Sequence, residues 1–357
     1  MKRSLIKQLR CPACAGALAC VGYKFMGEEV IDGVVRCGCG QAYPIRSGVA
    51  RLLPSETLPA DWRAQYAERL DADAPALARL PAASSTDAFS FSYQWAHHQY
   101  DALTWELELP ERLDIFLRYF AARSFDELQG VRLLDAGCGN GTLSAQLAAA
   151  GLEVIAMDYS ESVYRAYAHA LWDPSIGNDA AARLDYIQGD VWHPPFAPAT
   201  FDLVYSDGVL HHTPETKRAF QALAPLVRPG GRMFVWLYRR DARPATWVKN
   251  RIVDAIRALT RGWSHRNKMR LCWIGAGVLQ SVVRFARLFG YRRRRAIPLR
   301  LKAVNLFDTI SPSYNYEHTP EEVIGWYGEA GFVDVRDVSI KEHRLDDGGF
   351  AVIGRRP

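Results

Sequence analysis

The pattern of apolar and polar positions divides residues 131–238 into strands and helices in regular alternation. Five short apolar runs are separated by stretches whose apolar residues recur at helical spacing. Strands and helices in this order are typical of a doubly wound, mostly parallel sheet with helices on both faces. The pattern therefore predicts an α/β fold for the central part of the chain. The five runs are Val131–Leu134, Val154–Met157, Tyr186–Val191, Phe201–Asp207 and Met233–Leu237.

A glycine-rich loop follows the first of these strands. It begins after Asp135, carries glycines at positions 137, 139 and 141, and leads into a predicted helix. Glycine has no Cβ, so a ligand can lie directly on the backbone, and the helix N-terminus offers unpaired N–H groups. The glycine spacing differs from the G-x-G-x-x-G of dinucleotide sites, and an acid beside the loop favours a cationic ligand over a pyrophosphate. The loop therefore indicates a nucleoside ligand with a positively charged end.

Acids also stand at the ends of the next two strands. Asp158 lies 23 residues beyond Asp135, where a carboxylate can hold both hydroxyls of a ribose. Asp190 ends the third strand and is placed to accept a hydrogen bond from an adenine amino group. Because the carboxyl ends of parallel strands share one sheet edge, the three carboxylates are expected around a single ligand.

This ordered set of motifs closely resembles class I S-adenosylmethionine-dependent methyltransferases. The run Asp-Gly-Val-Leu-His-His at 207–212 is most similar to the ubiquinone- and menaquinone-biosynthesis type, and the resemblance covers about 131–238 and then 319–354. It implies a doubly wound, mostly parallel seven-stranded sheet with S-adenosyl-L-methionine as the cofactor. The residues that we expect around that cofactor are Asp135, Gly137, Gly139, Gly141, Asp158, Tyr159, Asp190, Val191 and Ser206.

An aromatic segment, Phe89–Trp95, opens the predicted catalytic domain. Related methyltransferases often place such a segment over the cofactor. The resemblance therefore implies that Tyr93, Gln94 or Trp95 touches the methionine end of the cofactor or the substrate. Packing of these aromatic rings against the sheet is the alternative.

Four cysteines near the N-terminus predict a structural zinc site. Cys11 and Cys14 form one pair, Cys37 and Cys39 form a second, and a hairpin fits between them. Two such pairs supply the tetrahedral thiolate set that structural zinc prefers, and a metal would stabilise a domain whose own core is small. The segment resembles the zinc ribbon of the activator subunit of tRNA and protein methyltransferases, but the Cys-x-Cys spacing departs from the usual two-residue spacer. The alternatives are Cys20 as the replacement ligand, a rubredoxin-like iron site, and buried thiols without metal.

The positive charge of the chain is concentrated in one insertion. Residues 239–302 contain 18 lysines and arginines against Asp241 and Asp254, a net charge of +16, whereas the whole chain is +5 and the remainder is therefore −11. Bulky aliphatic residues recur among the basic ones at helical spacing, and the run Arg292–Arg295 follows them. We predict a basic amphipathic helical lid that covers the substrate, with contact to an anionic membrane surface as a further property.

These patterns divide the chain into four parts. The predicted boundaries are a zinc ribbon at 1–53, a linker at 54–88 with one short helix near Trp62–Leu70, a cofactor-binding domain at 89–238 and 319–357, and the lid at 239–318.

Two histidines follow the fourth strand, at the edge where a substrate would approach. Methyl transfer from a sulfonium is an in-line displacement, and it needs a base only when the nucleophile must lose a proton. His211 and His212 are both candidates for that base, and a structural role in the turn is the alternative.

The predicted activity is methylation of a small hydrophobic, lipid-like or aromatic acceptor at oxygen or carbon. One alternative is an rRNA or tRNA methyltransferase that binds RNA through the ribbon and the basic insertion. A second is a non-catalytic cofactor-binding scaffold whose ribbon recruits a partner. Because no long apolar segment follows the basic residues Met1–Arg10, we expect a cytoplasmic protein, peripheral at the inner membrane face, and consider a homodimer as its assembly.

Overall fold

The computed structural model describes residues 1–53, 60–74, 77, 85–97, 103–104, 107–174, 176–240, 244–290, 297–340 and 348–357. The side chains of 85–89, 244–249 and 286–287 are outside that description. The arginine run at 292–295 and parts of the predicted linker therefore lie outside the described residues.

The amino-terminal residues form a short helix and an antiparallel meander of four strands. These elements are α1 (Arg3–Ile6), β1 (Leu18–Met26), β2 (Glu29–Cys37), β3 (Ala42–Arg46) and β4 (Val49–Arg51). Leu5 and Leu9 are fully buried in the same apolar cluster as Ile187 of the central sheet. The amino-terminal part thus shares its core with the rest of the molecule.

Two helices within the predicted linker pack on β2. They are α2 (Ala60–Gln65) and α3 (Ala67–Asp73). The indole Nε1 of Trp62 donates to Oδ1 of Asp32 at 3.1 Å, and the hydroxyl of Tyr66 donates to Oδ2 of Asp32 at 3.0 Å. Asp32 is buried, and these two donors together with the backbone N–H of Ser47 pair its carboxylate.

The central part alternates helices and strands as the apolar pattern predicts. After α4 (Ser85–Ala96) comes a small hairpin of β5 (Leu103–Thr104) and β6 (Leu107–Glu108). The following elements, in chain order, are α5 (Leu109–Phe120), β7 (Arg132–Ala136), α6 (Thr142–Ala149), β8 (Glu153–Asp158), α7 (Ser162–Trp172), α8 (Gly177–Ala182), β9 (Leu184–Gln188), β10 (Phe201–Asp207), α9 (Thr216–Leu223) and β11 (Val227–Tyr238).

In the described residues of the insertion, three helices precede the return of the chain to the sheet. They are α10 (Pro244–Thr260), α11 (His265–Leu288) and α12 (Leu299–Ile310), and α13 (Pro320–Glu329), β12 (Val333–Asp337) and β13 (Gly349–Arg355) follow them. Met269 and Cys272 of α11 pack with Phe307 of α12 in a small apolar cluster of their own. Among the described residues, no helix combines the length and the apolar character that crossing a bilayer requires.

The main sheet has eleven strands in the described part of the chain, in the order β1-β2-β3-β4-β9-β8-β7-β10-β11-β13-β12. The seven strands from β9 to β12 form the predicted doubly wound sheet, in which β13 is antiparallel to its neighbours. The predicted count of seven is wrong for the whole sheet, because β4 pairs in parallel with β9 through Ala50 and Ile187. This pairing covers an edge of β9 that would otherwise expose unpaired backbone groups.

Alternate residues of the central strands face opposite layers of the molecule. Leu134 and Ile155 belong to one apolar cluster, and their neighbours Leu133 and Val154 belong to the other. Both faces of the sheet are therefore covered, and the carboxyl ends of β7, β8, β9 and β10 meet at one edge.

Candidate active site

A cavity opens at the carboxyl ends of the parallel strands. Its walls come from the loops after these strands, from α4, from α5 and from α12. Eight of the residues predicted to hold the cofactor line it, namely Gln94, Trp95, Asp135, Gly137, Asp158, Tyr159, Asp190 and Val191.

The glycine loop is shaped by close packing as much as by the cavity. Gly137 lines the cavity with φ +100°, and a Cβ on it would lie 2.1 Å from a methyl group of Val209. Gly139 is covered by the indole of Trp95, 2.4 Å from where its Cβ would be. Gly141 caps α6 in the left-handed conformation, and its Cβ would meet Ala166 at 2.6 Å. The last two glycines therefore serve backbone packing and are not part of the cavity wall.

Each predicted exit acid is held by hydrogen bonds from neighbouring residues of the site. Asp135 Oδ2 accepts from the hydroxyl of Ser144 at 2.5 Å. Asp158 Oδ2 accepts from the backbone N–H of Gly139 at 2.8 Å, and Oδ1 accepts from the N–H of Ser160 at 2.8 Å. These contacts fix the carboxylates and still leave lone pairs for a ligand, because each carboxylate has about four acceptor positions.

Asp190 is held in the same way by the turn that follows β9. Its Oδ1 accepts from the backbone N–H of Trp192 at 2.9 Å, and its Oδ2 lies 3.2 Å from Nδ1 of His193. The carboxylate is buried and lines the cavity.

A further acid at this edge, Asp207, was not among the predicted cofactor residues. It ends β10, lines the cavity and accepts a hydrogen bond from the hydroxyl of Tyr205 at 2.7 Å. The residue before it, Ser206, was predicted in its place. Ser206 is fully buried and donates to the carbonyl of Ala136 at 2.9 Å, so it ties two strands together outside the cavity wall.

Burial of these acids disfavours their ionised forms. Burial raises the pKa of Asp135 to about 7, although the hydroxyl of Ser144 and the charge of Arg112 oppose the shift. Burial likewise raises the pKa of Asp158 and of Asp207. A cationic ligand would favour the ionised form of all three carboxylates.

Several polar atoms around the cavity lack hydrogen-bond partners within the described part of the chain. They are Oε1 of Gln94, Nη1 of Arg112 and Nδ2 of Asn140, all buried side-chain atoms of cavity-lining residues. Buried polar groups are nearly always paired, so these three atoms mark where a ligand would supply partners. They provide one acceptor and two donors beside the carboxylates.

The helix α4 brings the predicted aromatic segment against the cavity. Gln94 is fully buried, and its Nε2 donates to Oδ1 of Asp308 at 2.9 Å. Trp95 lies on the glycine loop, as described above. Tyr93 points elsewhere, with its ring 5.6 Å from the ring of Phe307 in the cluster between the insertion helices. The structure thus divides the segment between two roles, since Gln94 and Trp95 face the cavity and Tyr93 packs.

The two candidate histidines occupy different environments. His212 lines the cavity, and its Nδ1 lies 3.0 Å from the carbonyl oxygen of Tyr314. That contact requires a proton on Nδ1 and leaves Nε2 as the proton-accepting nitrogen of the ring. His211 does not line the cavity. Its ring is fully buried 4.0 Å from the ring of Tyr238, and its two nitrogens have no partner among the described residues.

Burial also distinguishes His211 chemically. Burial lowers the pKa of His211 well below its ordinary value, and the neighbouring His212 and His318 add to the shift. A ring that stays neutral and lies behind the wall cannot receive a proton from a substrate in the cavity. Of the two, His212 has the position for a base.

The insertion contributes a wall that could not be assigned from sequence. Asp308 of α12 lines the cavity, and its Oδ2 accepts from the hydroxyl of Tyr238 at 3.1 Å. The rings of Phe91, Trp236 and Tyr238 line the same region. This part of the cavity combines aromatic surface with a buried carboxylate, as suits a flat apolar molecule with one polar group.

The four predicted zinc ligands lie together at the far end of the sheet. Their Sγ atoms are all within 4.8 Å of one another, with Cys11 and Cys39 at 3.8 Å and Cys14 and Cys37 at 3.4 Å. Four sulfurs bound to zinc at about 2.3 Å would stand about 3.8 Å apart, so the donor set fits that metal. Cys20 lies in β1 and is not in the cluster.

The backbone around the cluster also fits metal binding. Backbone N–H groups of Gly16 and Gln41 point to the sulfurs of Cys14 and Cys39, and the latter contact lowers the pKa of Cys39 to about 7. A Cβ on Gly16 would lie 3.1 Å from Sγ of Cys37, so a larger residue would crowd the sulfurs. Thiolates that accept backbone hydrogen bonds are well suited to bind a cation.

The central part of the chain is similar to known methyltransferases. Residues 134–235 match the family described as methyltransferase domain. The ubiquinone biosynthesis O-methyltransferase of Azorhizobium caulinodans is 31% identical over 156 residues, which is 43% of this chain and 58% of that protein. The Vibrio cholerae protein of the same name is 35% identical over 118 residues, which is 32% of this chain and 45% of that protein. The chain therefore spans only about half the length of these relatives.

Solved structures show a looser likeness. Magnesium protoporphyrin IX methyltransferase from Synechocystis PCC 6803, determined with bound S-adenosylmethionine, superposes with a TM-score of 0.39 at 18% identity and covers 69% of this chain and 79% of its own. The cyclase SpnF superposes with a TM-score of 0.45 at 15% identity and covers 78% of this chain and 99% of its own.

Proposed function

We propose that the protein transfers a methyl group from S-adenosyl-L-methionine to a small hydrophobic acceptor, on the premise that residues 134–235 match the methyltransferase-domain family. The observation that carries the proposal is the cavity itself. Buried carboxylates and unpaired polar atoms converge there at the carboxyl edge of a parallel sheet.

The polar end of the cavity has the groups that this cofactor requires. Asp158 would accept from the ribose hydroxyls and Asp190 from the adenine amino group. Asp135 would face the cationic methionine end, where Arg112 is placed to pair with the carboxylate through its unpaired Nη1. The cofactor supplies an activated methyl group, so the chain has mainly to orient the reactants and exclude water.

The aromatic end of the cavity suits the acceptor. Phe91, Trp236 and Tyr238 would hold a flat ring, and Asp308 would accept a hydrogen bond from a ring hydroxyl. The two relatives named above carry a quinone-biosynthesis O-methyltransferase name, which supports a phenol or catechol as the acceptor class.

His212 would take the proton that such a hydroxyl must lose. The cofactor would supply the methyl group to the acceptor oxygen, its sulfur would keep the electron pair of the carbon–sulfur bond, and Nε2 of His212 would take the phenolic proton. The contact between Nδ1 of His212 and the carbonyl of Tyr314 holds the ring in the required tautomer.

Replacing His212 with glutamine is expected to lower kcat by about a hundredfold, with little change in cofactor affinity, because the variant removes the base and keeps the ring's polar contact. The assay uses prenylated phenols and catechols as acceptors and follows formation of S-adenosylhomocysteine. The matched control is His211→Phe, which should retain turnover because His211 is sealed behind the wall. Equal losses in both variants, or methylation of RNA instead of phenols, would contradict the assignment.

Cofactor affinity is expected to rise about tenfold between about pH 6 and about pH 8, because burial raises the pKa of Asp135 to about 7 and the cationic cofactor prefers the ionised carboxylate. The folded-state pKa of Asp135 lies above its ordinary value of 3.8. The same group should therefore make the cofactor-free protein less stable as the pH rises from the ordinary pKa to the folded-state pKa of about 7. Calorimetric titration at several pH values checks the first effect. Asp135→Asn should flatten the profile, and an unchanged slope in that variant would rule out Asp135 as its origin.

We also propose that the cluster of Cys11, Cys14, Cys37 and Cys39 holds a zinc ion. With four protein ligands the ion would have no open position for substrate, so its role is structural. The protein as a whole would then need one cofactor for chemistry and one ion for folding.

A further inference from the structure

Helix α11 has an apolar face that the described part of the chain leaves exposed to solvent. Ile274, Val278, Val282 and Phe285 of the helix are 66%, 59%, 58% and 64% exposed, and Phe289, which follows its last residue, is 76% exposed. Their spacing of three or four residues places them on one side of the helix. These five residues are called the apolar face of α11 below.

The opposite side of the same helix is already used for packing. Met269, Cys272 and Ala276 are buried in the cluster with Phe307 of α12. The helix therefore does not need its apolar face to hold the insertion together. Burying both sides would require another surface.

The exposed area extends beyond one row of side chains. Leu279 is 48% exposed and Leu288 is 80% exposed, while the rings of Phe285 and Phe289 lie 5.1 Å apart. Single exposed apolar residues are ordinary on protein surfaces, but a contiguous patch of this kind marks an interaction site.

The two helices α10 and α11 carry a strongly positive charge. Residues 244–290 contain nine lysines and arginines against a single acid, Asp254. Arg266, Arg270 and Arg284 are exposed on the side of α11 that borders the apolar face. An apolar stripe bordered by arginines is typical of helices that lie in the surface of an anionic bilayer.

We infer that the apolar face of α11 docks in the plane of an anionic lipid surface. The aliphatic and phenyl side chains would enter the boundary between headgroups and acyl chains, and the bordering arginines would contact lipid phosphates. An RNA groove would use basic and stacking groups and would not gain from exposed valine and isoleucine. Because α12 packs on α11 and carries Asp308, docking places the insertion side of the cavity one helix layer from the lipid.

Flotation of the full chain with vesicles tests this inference independently of any methyltransferase activity. Vesicles of phosphatidylcholine with about one third phosphatidylglycerol should carry the protein upward, and vesicles of phosphatidylcholine alone should do so much less. Val278→Asp combined with Phe285→Asp should weaken binding about tenfold or more, because two apolar side chains no longer enter the lipid. The matched control is Trp172→Asp, which places the same charge at an 80% exposed aromatic residue of α7.

The electrostatic part has its own variants. Arg270→Gln and Arg284→Gln should each weaken binding to the anionic vesicles about fivefold, whereas Arg336→Gln on β12 should not. These variants also keep the test decisive if the double aspartate variant does not fold, which circular dichroism would reveal. The inference is overturned if the wild-type chain stays at the bottom of the gradient, or if the folded aspartate variant floats like the wild type. The inference is also overturned if the double aspartate variant converts a dimer to a monomer in light scattering and leaves vesicle binding unchanged. The apolar face of α11 would then be a contact between two copies of the chain.

Discussion

Replacing Asp158 with alanine is expected to weaken binding of S-adenosylmethionine and S-adenosylhomocysteine by about a hundredfold. The substitution would remove two charge-assisted hydrogen bonds between the carboxylate and the ribose, each contributing about 1.5 kcal/mol or more. It would also release the N–H of Gly139, which Asp158 holds at 2.8 Å, so the glycine loop would have to be reordered on binding. Both effects act on the neutral product as well as on the cationic cofactor.

Isothermal titration calorimetry with both nucleosides measures this loss. The control is Glu153→Ala at the opposite end of β8, where the side chain is exposed and far from the carboxyl edge. Asp158→Asn gives an intermediate test, because the amide oxygen can still accept from Gly139. Tight binding by a folded Asp158→Ala protein would remove the ribose contact from the proposal.

The fold and the ligand edge were predictable because their signals are local. Each parallel strand is an apolar run, and Asp135 and Asp158 stand at the carboxyl ends of β7 and β8. The error at β10 was also local. Successive residues of a strand face opposite sides. Asp207 therefore lines the cavity, whereas Ser206, the residue that was predicted, contacts the carbonyl of Ala136.

Contacts between distant segments could not be predicted in the same way. The hydrogen bond between Gln94 and Asp308 joins residues 214 positions apart, and no pattern in either segment specifies the other. The pairing of Ala50 with Ile187 likewise depends on which sheet edge the ribbon meets. The two adjacent histidines differ for the same reason, since His211 packs on the ring of Tyr238 and His212 contacts the backbone carbonyl of Tyr314, and neither contact can be predicted from their own segment.

Replacing Cys11 with serine is expected to remove the zinc ion and lower the melting temperature by about 5 °C or more, because a structural metal contributes several kcal/mol to folding. Cys11 is the buried member of the cluster, and its sulfur lies 3.4 Å from the hydroxyl of buried Tyr43, so the ribbon core cannot adjust easily to the change. Elemental analysis and thermal unfolding measure the two effects. Cys20→Ser is the matched control in the same ribbon, and it should keep both the ion and the stability.

Cofactor affinity of the remaining folded Cys11→Ser protein should change little. The cluster belongs to β2 and the loops beside β1 and β3, whereas the cavity opens beyond β9 on the other side of β4. A chelator should therefore lower the melting temperature of the wild type and not that of the variant. The opposite result would be a folded Cys11→Ser variant whose cofactor affinity falls as far as that of Asp158→Ala. It would show that the ribbon is coupled to the active site, for which the pairing of β4 with β9, the strand before Asp190, offers a route.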